Sequence, residues 1–295
     1  MKRMLLLCCT LLAVHAAAAQ TEIVVIDDTG AALRLAAPAQ RIVSLAPHVT
    51  ETLFAAGAGG KIVGAVDYSD HPEAAKKIPR VGGYSKLDLE AVAALKPDLV
   101  IGWASGNAPA HIDKLRALGI PVYLAQPERI DDVAVNLERY GGLAGTQTTA
   151  RAAAAAFRAR LAALREKYAG APKVRVFYQI WKQPLTTVGG RQVITDVIRL
   201  CGGENVFADL KPLAPKVSVE AVLAANPEVI VASGMGEARP EWVDDWRQWP
   251  GLTAVKRDNL YFIPPDLIQR HTPRLVEGAA RLCEQLETAR GKRPR

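Results

Sequence analysis

The apolar residues of this chain follow two rhythms that keep replacing one another. Residues 22–35 alternate apolar and polar about the turn Asp27-Asp28-Thr29-Gly30, which predicts a β-hairpin. From residue 41 onward, short apolar runs alternate with stretches whose apolar residues recur every three or four positions. The runs at 41–46, 61–66, 98–103, 121–125, 174–180 and 259–263 are predicted strands. The stretches at 50–56, 111–118, 130–143 and 193–201, and a last one from Thr272, are predicted helices. Thr272-Pro273 reads as the N-cap and first residue of that last helix, with Leu275, Ala279, Leu282 and Leu286 as its buried stripe. Strands that alternate with helices predict an α/β fold of mainly parallel sheets covered on both faces.

The longest helical stretch is residues 145–170, GTQTTARAAAAAFRARLAALREKYAG. Neither Gly nor Pro interrupts its interior, and Phe157, Leu161, Leu164 and Tyr168 form one apolar stripe. Thr148 or Thr149 is available to cap its start and Gly170 to end it. About 20 residues at a 1.5 Å rise make a rod of roughly 30 Å, which fits a surface helix or a strut between lobes. A repeat on either side favours the strut. LDLEAVAALKPDLVIGW at 87–103 and VSVEAVLAANPEVIVAS at 217–233 share Glu, Ala, Val, Ala and Pro in register. Both parse as a cap (Asp88 or Ser218), a short helix, a proline stop and a buried strand. The expected organisation is an N-terminal α/β lobe at 20–146, a bridging helix at 147–169, a C-terminal α/β lobe at 170–289 and a disordered basic tail at 290–295. A stiff joint of this kind limits the lobes to small rocking motions.

Residues 1–19 read as a signal peptide: Lys2 and Arg3, an apolar run from Met4 to Val14, and Ala17-Ala18-Ala19 before Gln20. The run is too short for a membrane span, and the expected destination is the periplasm. Export removes Cys8 and Cys9 and leaves Cys201 and Cys283, either one disulfide or two buried thiols. Charge needs the same correction. Setting aside the two basic residues of the leader and the four of the tail lowers the formal +7 to +1. A near-neutral body without a groove-reading motif argues against nucleic-acid binding.

Motifs for catalysis are missing. Gly57-Ala58-Gly59-Gly60 follows a helix and lacks the dinucleotide-binding spacing, so it reads as a helix end and turn. No G-x-S-x-G, H-E-x-x-H, Walker loop or C-x-x-C occurs, so no enzyme is expected, a secreted hydrolase being the remote alternative. His48, His71, His111 and His271 are isolated in sequence, more in keeping with surface or capping residues than with a metal site. Aromatic and polar residues do gather just after predicted strands: Pro47, Tyr68, Trp103, Trp181, Asp266 and Arg270, with Tyr84 in a loop after Gly82-Gly83. Ligands of open α/β sheets sit beyond the carboxyl ends of the strands, so two facing lobes would form a cleft walled by rings. Trp242, Trp246 and Trp249, spaced like one face of a helix, read as core instead.

RIVSLAPHVTETLFAAGA, YSDHPEAAKKIPRVGGY, DLEAVAALKPDLVIGW and CGGENVF resemble the periplasmic binding proteins of ABC importers for iron chelates, haem and vitamin B12. The resemblance runs from about residue 22 to 286. Ser44-Leu45-Ala46-Pro47 with Thr50-Glu51, and Leu95-Lys96-Pro97-Asp98, mark the superfamily; Tyr68-Ser69-Asp70-His71-Pro72, Trp103 with Gly106-Asn107, and the Cys201/Cys283 pair are more specific. The resemblance implies two α/β lobes spanned by one helix, a monomer, and a Cys201–Cys283 disulfide. It implies no catalytic cofactor and a bound cobalamin or related corrinoid, lined by Pro47, Tyr68, Tyr84, Trp103, Trp181, Asp266 and Arg270. It further implies that Glu90 and Glu220 dock on arginines of the importer's membrane subunits. Tyr84, Leu213 and Leu267 depart from the family, standing where it carries larger rings. The alternative cargoes are haem, with Tyr68, His71 or His271 as axial ligand, and a ferric siderophore held by a cationic patch that includes Arg270.

Overall fold

The computed structural model describes residues 22–83, 86–234, 236 and 238–294. The signal-peptide reading and Tyr84 therefore lie outside the described residues. The hairpin is β1 (Ile23–Ile26) and β2 (Ala32–Leu35), paired antiparallel. Asp27 closes its turn, accepting from the backbone N–H of Thr29 and of Ala31.

The N-terminal lobe follows as β3 (Ile42–Ser44), α1 (Pro47–Ala55), β4 (Ile62–Ala65), α2 (Leu89–Ala94), β5 (Leu99–Trp103), α3 (Pro109–Ala117), β6 (Val122–Ala125) and α4 (Asp132–Ala144). The bridge is α5 (Gln147–Lys167). The C-terminal lobe then runs β7 (Val174–Gln179), α6 (Val193–Leu200), β8 (Gly203–Asn205), α7 (Val219–Ala225), β9 (Val229–Ala232), α8 (Thr253–Lys256), β10 (Leu260–Phe262), α9 (Pro265–Ile268) and α10 (Leu275–Gly291). The two four-stranded sheets are parallel throughout, in the orders β4-β3-β5-β6 and β10-β9-β7-β8. Counting strands within each lobe, both orders read 2-1-3-4. The repeated phrases occupy equivalent places, α2-β5 and α7-β9, each supplying the third strand of its sheet. Asp88 and Ser218 cap their helices as expected, accepting from Ala91 N and Ala221 N.

Three apolar clusters result. One lies on a single face of the N-terminal sheet, under α2 and α3, and includes Val43, Val100, Leu115 and Leu124. A second belongs to the C-terminal sheet, around Phe177, Ile230 and Trp246. The third is shared: it runs from Leu53, Ile101 and Tyr140 through Phe157 and Leu161 of α5 to Val176, Val197 and Leu282. The two lobes therefore share part of their core. Because α5 packs along α4, it carries the buried stripe straight from one lobe into the other. Gly141 permits that closeness, since a Cβ there would lie 2.2 Å from the Cβ of Ala150.

Several details differ from the sequence reading. Thr146, not Thr148 or Thr149, stands at the N-cap of α5, and its hydroxyl donates to Ala56 O at 2.7 Å, tying the bridge to the N-terminal lobe. α1 starts at Pro47, so the segment predicted to be a strand up to residue 46 yields to a helix at once. α10 starts at Leu275 rather than at Pro273; Thr272 instead folds back to accept from Arg274 N. The tryptophan segment is a 3-10 helix, Glu241–Gln248, in which Trp246 is buried and Trp242 half-buried, with Trp249, just beyond it, half-buried too.

Three residues of the basic end are hydrogen-bonded: Arg290 donates to Pro172 O and Cys201 O, Lys292 to Asp258 O, and Arg293 to both carboxylate oxygens of Glu228. Their charge lies near acceptors that α10 brings into reach, which composition alone does not reveal.

Cys201 at the end of α6 is disulfide-bonded to Cys283 in α10, closing 82 residues. Replacing both by alanine is expected to cost about 4–5 kcal/mol on the chain-entropy account. The shift of the urea midpoint measures it, and a loss below about 1 kcal/mol would contradict that account.

Candidate functional site

Each sheet changes direction of winding between its first and third strands, β3/β5 in one lobe and β7/β9 in the other, and a cleft opens beyond their carboxyl ends. The loop after β5 shows how the sequence builds one wall. Asn107 accepts from the backbone N–H of Trp103 at 2.7 Å and donates to Leu45 O at 3.0 Å, clamping the ends of β5 and β3 together. Gly106 lets the Trp103 indole lie against the loop, for a Cβ there would stand 1.9 Å from the ring.

Between the lobes is a cavity of about 230 Å³, lined by Trp103, Gln126 and Pro127 from one side and Ile180, Val193, Leu213 and His271 from the other. A second hollow of about 320 Å³ shares Ser105, Gln126, Arg191 and Leu213 with it. Pockets for drug-sized ligands span roughly 300–1,000 Å³, so a macrocycle requires the lobes to part somewhat. Arg191 bridges to Glu128 across the opening, through its Nε at 3.3 Å and through Nη2. This pair is largely exposed and gives way readily.

The other flank carries a charged network. Glu51 of α1 receives two hydrogen bonds from Arg274, at 2.8 and 2.7 Å; Arg270 pairs with Asp70 at 2.8 Å and Asp266 at 3.1 Å. Asp70 and Glu51 belong to one lobe, and Asp266, Arg270 and Arg274 to the other. Burial pushes the Asp70 carboxyl up, but the hydrogen bond and charge of Arg270 outweigh it and hold it below the usual range.

Of the residues singled out from sequence, Trp103 lines the cavity. Pro47 is the first residue of α1 and half-buried. Tyr68 follows β4 in the left-handed region, φ +62°, and is 73% exposed. Trp181, 40% exposed, pairs by backbone hydrogen bonds with Thr186. Asp266 and Arg270 belong to the ion-pair network. His71 borders a different hollow, with Glu51, Phe54 and Arg274. Glu90 and Glu220 are exposed in the first turns of α2 and α7. Sequence reasoning read His48 and His271 as isolated surface or capping residues, with His271 an axial ligand only in the haem alternative, yet their ring centroids lie 5.4 Å apart where the lobes meet. Their positions offered a signal: one directly follows Pro47 and the other directly follows Arg270.

Burial pushes the His271 imidazole down from about 6.5 to about 4. Burial, then the charges of His271 and Arg270, lower that of His48 well below its ordinary value. Both rings are therefore neutral in the native state at neutral pH. As pH falls below 6.5 the unfolded chain takes up these protons and the folded protein does not, so stability falls with pH. His271 alone is expected to cost about 2 kcal/mol between pH 7.5 and pH 5, with His48 adding in the same direction. Urea midpoints at the two pH values test this; a double His48→Gln, His271→Gln variant should show a flatter dependence, and equal slopes would refute the assignment.

Fold and cleft together define a two-lobed ligand-capture protein with its site at the carboxyl ends of two parallel sheets. Residues 42–267 match the periplasmic binding protein family, and the chain belongs to it. It is 38% identical over 259 residues to the vitamin B12-binding protein of Vibrio parahaemolyticus serotype O3:K6, covering 87% of this chain and 92% of that one. The crystal structure of the periplasmic vitamin B12 binding protein of Vibrio cholerae superposes with a TM-score of 0.80 at 37% identity, over 86% of this chain and 98% of that one. A periplasmic heme-binding protein from Pseudomonas aeruginosa superposes with a TM-score of 0.72 at 28% identity, over 83% and 91% of the two chains.

Proposed function

We propose that this protein captures cobalamin or a related corrinoid between its lobes in the periplasm and delivers it, unchanged, to an ABC importer. The observation that carries this reading is the 38% identity, along 87% of the chain, to a vitamin B12-binding protein. The cleft supports it: an indole, aliphatic side chains and a few amides suit a flat, bulky chelate edged with amide groups. In this reading Pro47, Tyr68, Tyr84, Trp103, Trp181, Asp266 and Arg270 surround the corrinoid once the lobes part. The shared core through α5 keeps that motion small, so little protein entropy is lost on binding. No residue performs chemistry on the cargo, and the protein works as a monomer.

Delivery is assigned to the outer ends of α2 and α7. Glu90 and Glu220 occupy equivalent positions in the two lobes, and among the described residues neither has an ion-pair partner. Each is thereby available to an arginine of the importer's membrane subunits.

The likeness to the heme-binding protein of Pseudomonas aeruginosa favours haem as the second reading. Titrating the purified protein with cyanocobalamin, haemin and a ferric siderophore, by calorimetry and visible spectroscopy, separates the cases. Tight binding of cyanocobalamin alone is expected. A shifted Soret band with no uptake of cyanocobalamin would transfer the assignment to haem, and binding to none of the three would remove it.

A further inference from the structure

The contact between the lobes includes two imidazoles. His48, in the first turn of α1, and His271, after α9, have ring centroids 5.4 Å apart at an interplanar angle of 67°. Trp103 packs on both, at 5.3 Å from His48 and 6.4 Å from His271. The histidines are 6% and 7% exposed. Buried polar groups are normally hydrogen-bonded, and each exception calls for a reason. Here Nε2 of His48 is buried with no partner. Among the described residues no hydrogen bond reaches the ring of His271 either, and burial alone accounts for its lowered basicity.

The acids nearby do not supply the missing partner. Glu51 is bound to Arg274, Asp70 to Arg270, and Asp266 lies between both arginines. Three carboxylates and two guanidiniums thus engage one another, and among the described residues none of these carboxylates accepts from either histidine. An imidazole nitrogen that accepts no hydrogen bond keeps a lone pair that a metal can take. His271 also lines the interlobe cavity beside Trp103 and Leu213, where cargo arrives. Among the described residues, its ring is the one imidazole in those walls.

We propose that His271 is a metal-donor side chain of the cleft, binding the metal of a flat chelate that has an exchangeable axial position. Resting on the corrinoid reading above, the cargo class so defined is a corrinoid without its nucleotide base, in which water occupies both faces of cobalt. The step is a ligand exchange. The cobalt–oxygen bond to one water breaks, the His271 nitrogen lone pair forms the new cobalt–nitrogen bond, and the water leaves. No electron is transferred, and the proton remains on the other ring nitrogen. Metal-bound imidazoles usually donate that N–H to an acceptor or to water.

The test uses the full mature protein with diaquocobinamide and with cyanocobalamin, whose axial positions are already filled by cyanide and its own base. Bound to the wild-type protein, diaquocobinamide should take on the visible spectrum of a nitrogen-coordinated corrinoid. In His271→Ala, checked for native folding by near-ultraviolet circular dichroism, the bands should return to those of the aquo form, and added free imidazole should restore the shift. Preference for diaquocobinamide over cyanocobalamin should fall about tenfold or more in that variant. Calorimetric binding of both corrinoids to wild type with an unshifted cobinamide spectrum overturns the inference and leaves the corrinoid reading standing. A shift that survives in His271→Ala without added imidazole also overturns it, since another group would then be the donor. Binding of neither corrinoid removes the functional reading itself.

Discussion

Changing Glu51 to alanine is expected to destabilise the protein by about 3 kcal/mol, among the largest single-residue losses in this chain. The Glu51 side chain is 5% exposed and that of Arg274 21%, and their two hydrogen bonds join residues 223 apart in sequence. Removing one member of a buried ion pair leaves the other charged, dehydrated and unmatched, which generally costs about 3–5 kcal/mol. The low end applies because Arg274 keeps some contact with water and has Asp266 at 3.9 Å. Replacing the pair together, Glu51→Leu with Arg274→Met, should recover most of the loss, since neither charge then remains to be solvated. Urea unfolding of the two single variants and the double variant reads both effects. A Glu51→Ala loss under about 1 kcal/mol would show that this pair behaves like a surface one.

The second large effect is on transport rather than folding. Reversing both charges, Glu90→Lys with Glu220→Lys, should abolish importer-dependent uptake by cells while the purified protein keeps its corrinoid affinity within about twofold. Both side chains are exposed at helix starts, far in kind from the apolar cleft. The carboxyl of Glu220 is held below its usual range by its own backbone amide and by Ser218, so it stays charged over the whole physiological range. A lysine at each place would set like charges against the arginines expected on the importer, which repels rather than merely weakens docking. Normal uptake by the double variant would dismiss these glutamates as the docking pair. Loss of corrinoid affinity would show instead that they support the cleft.

Much of the architecture was readable because it is written in local pattern. The period-two hairpin, the buried strands and the long stripe on α5 each depend on neighbours in sequence, and each is found where its pattern lies. The doubled phrase at Glu90 and Glu220 marked equivalent helices before any sheet order was known. What was not legible depends on distant partners. β8 has three residues, Gly203–Asn205, and exists because β7 offers an edge. The hydrogen bonds of the basic end gave no sign because its acceptors, Pro172 O, Cys201 O and Glu228, are far away in the chain. The site divides in the same way. Trp103 was recognisable from its place at a strand end, whereas Arg270 and Asp266 gave no sign of being engaged with Asp70 and Arg274. His48 and His271, 223 positions apart, gave no sign of touching until the lobes were assembled.

The chain is built twice over, yet its halves are no longer separable. Because α5 threads one apolar mass through both sheets, a break in that helix would strip cover from Tyr140 and Leu137 on one side and from Val197 and Leu282 on the other. Neither fragment could refold alone around what remained, and heat should melt the intact molecule in a single cooperative step. The two lobes share one strand order, yet they melt as a unit because they share one core.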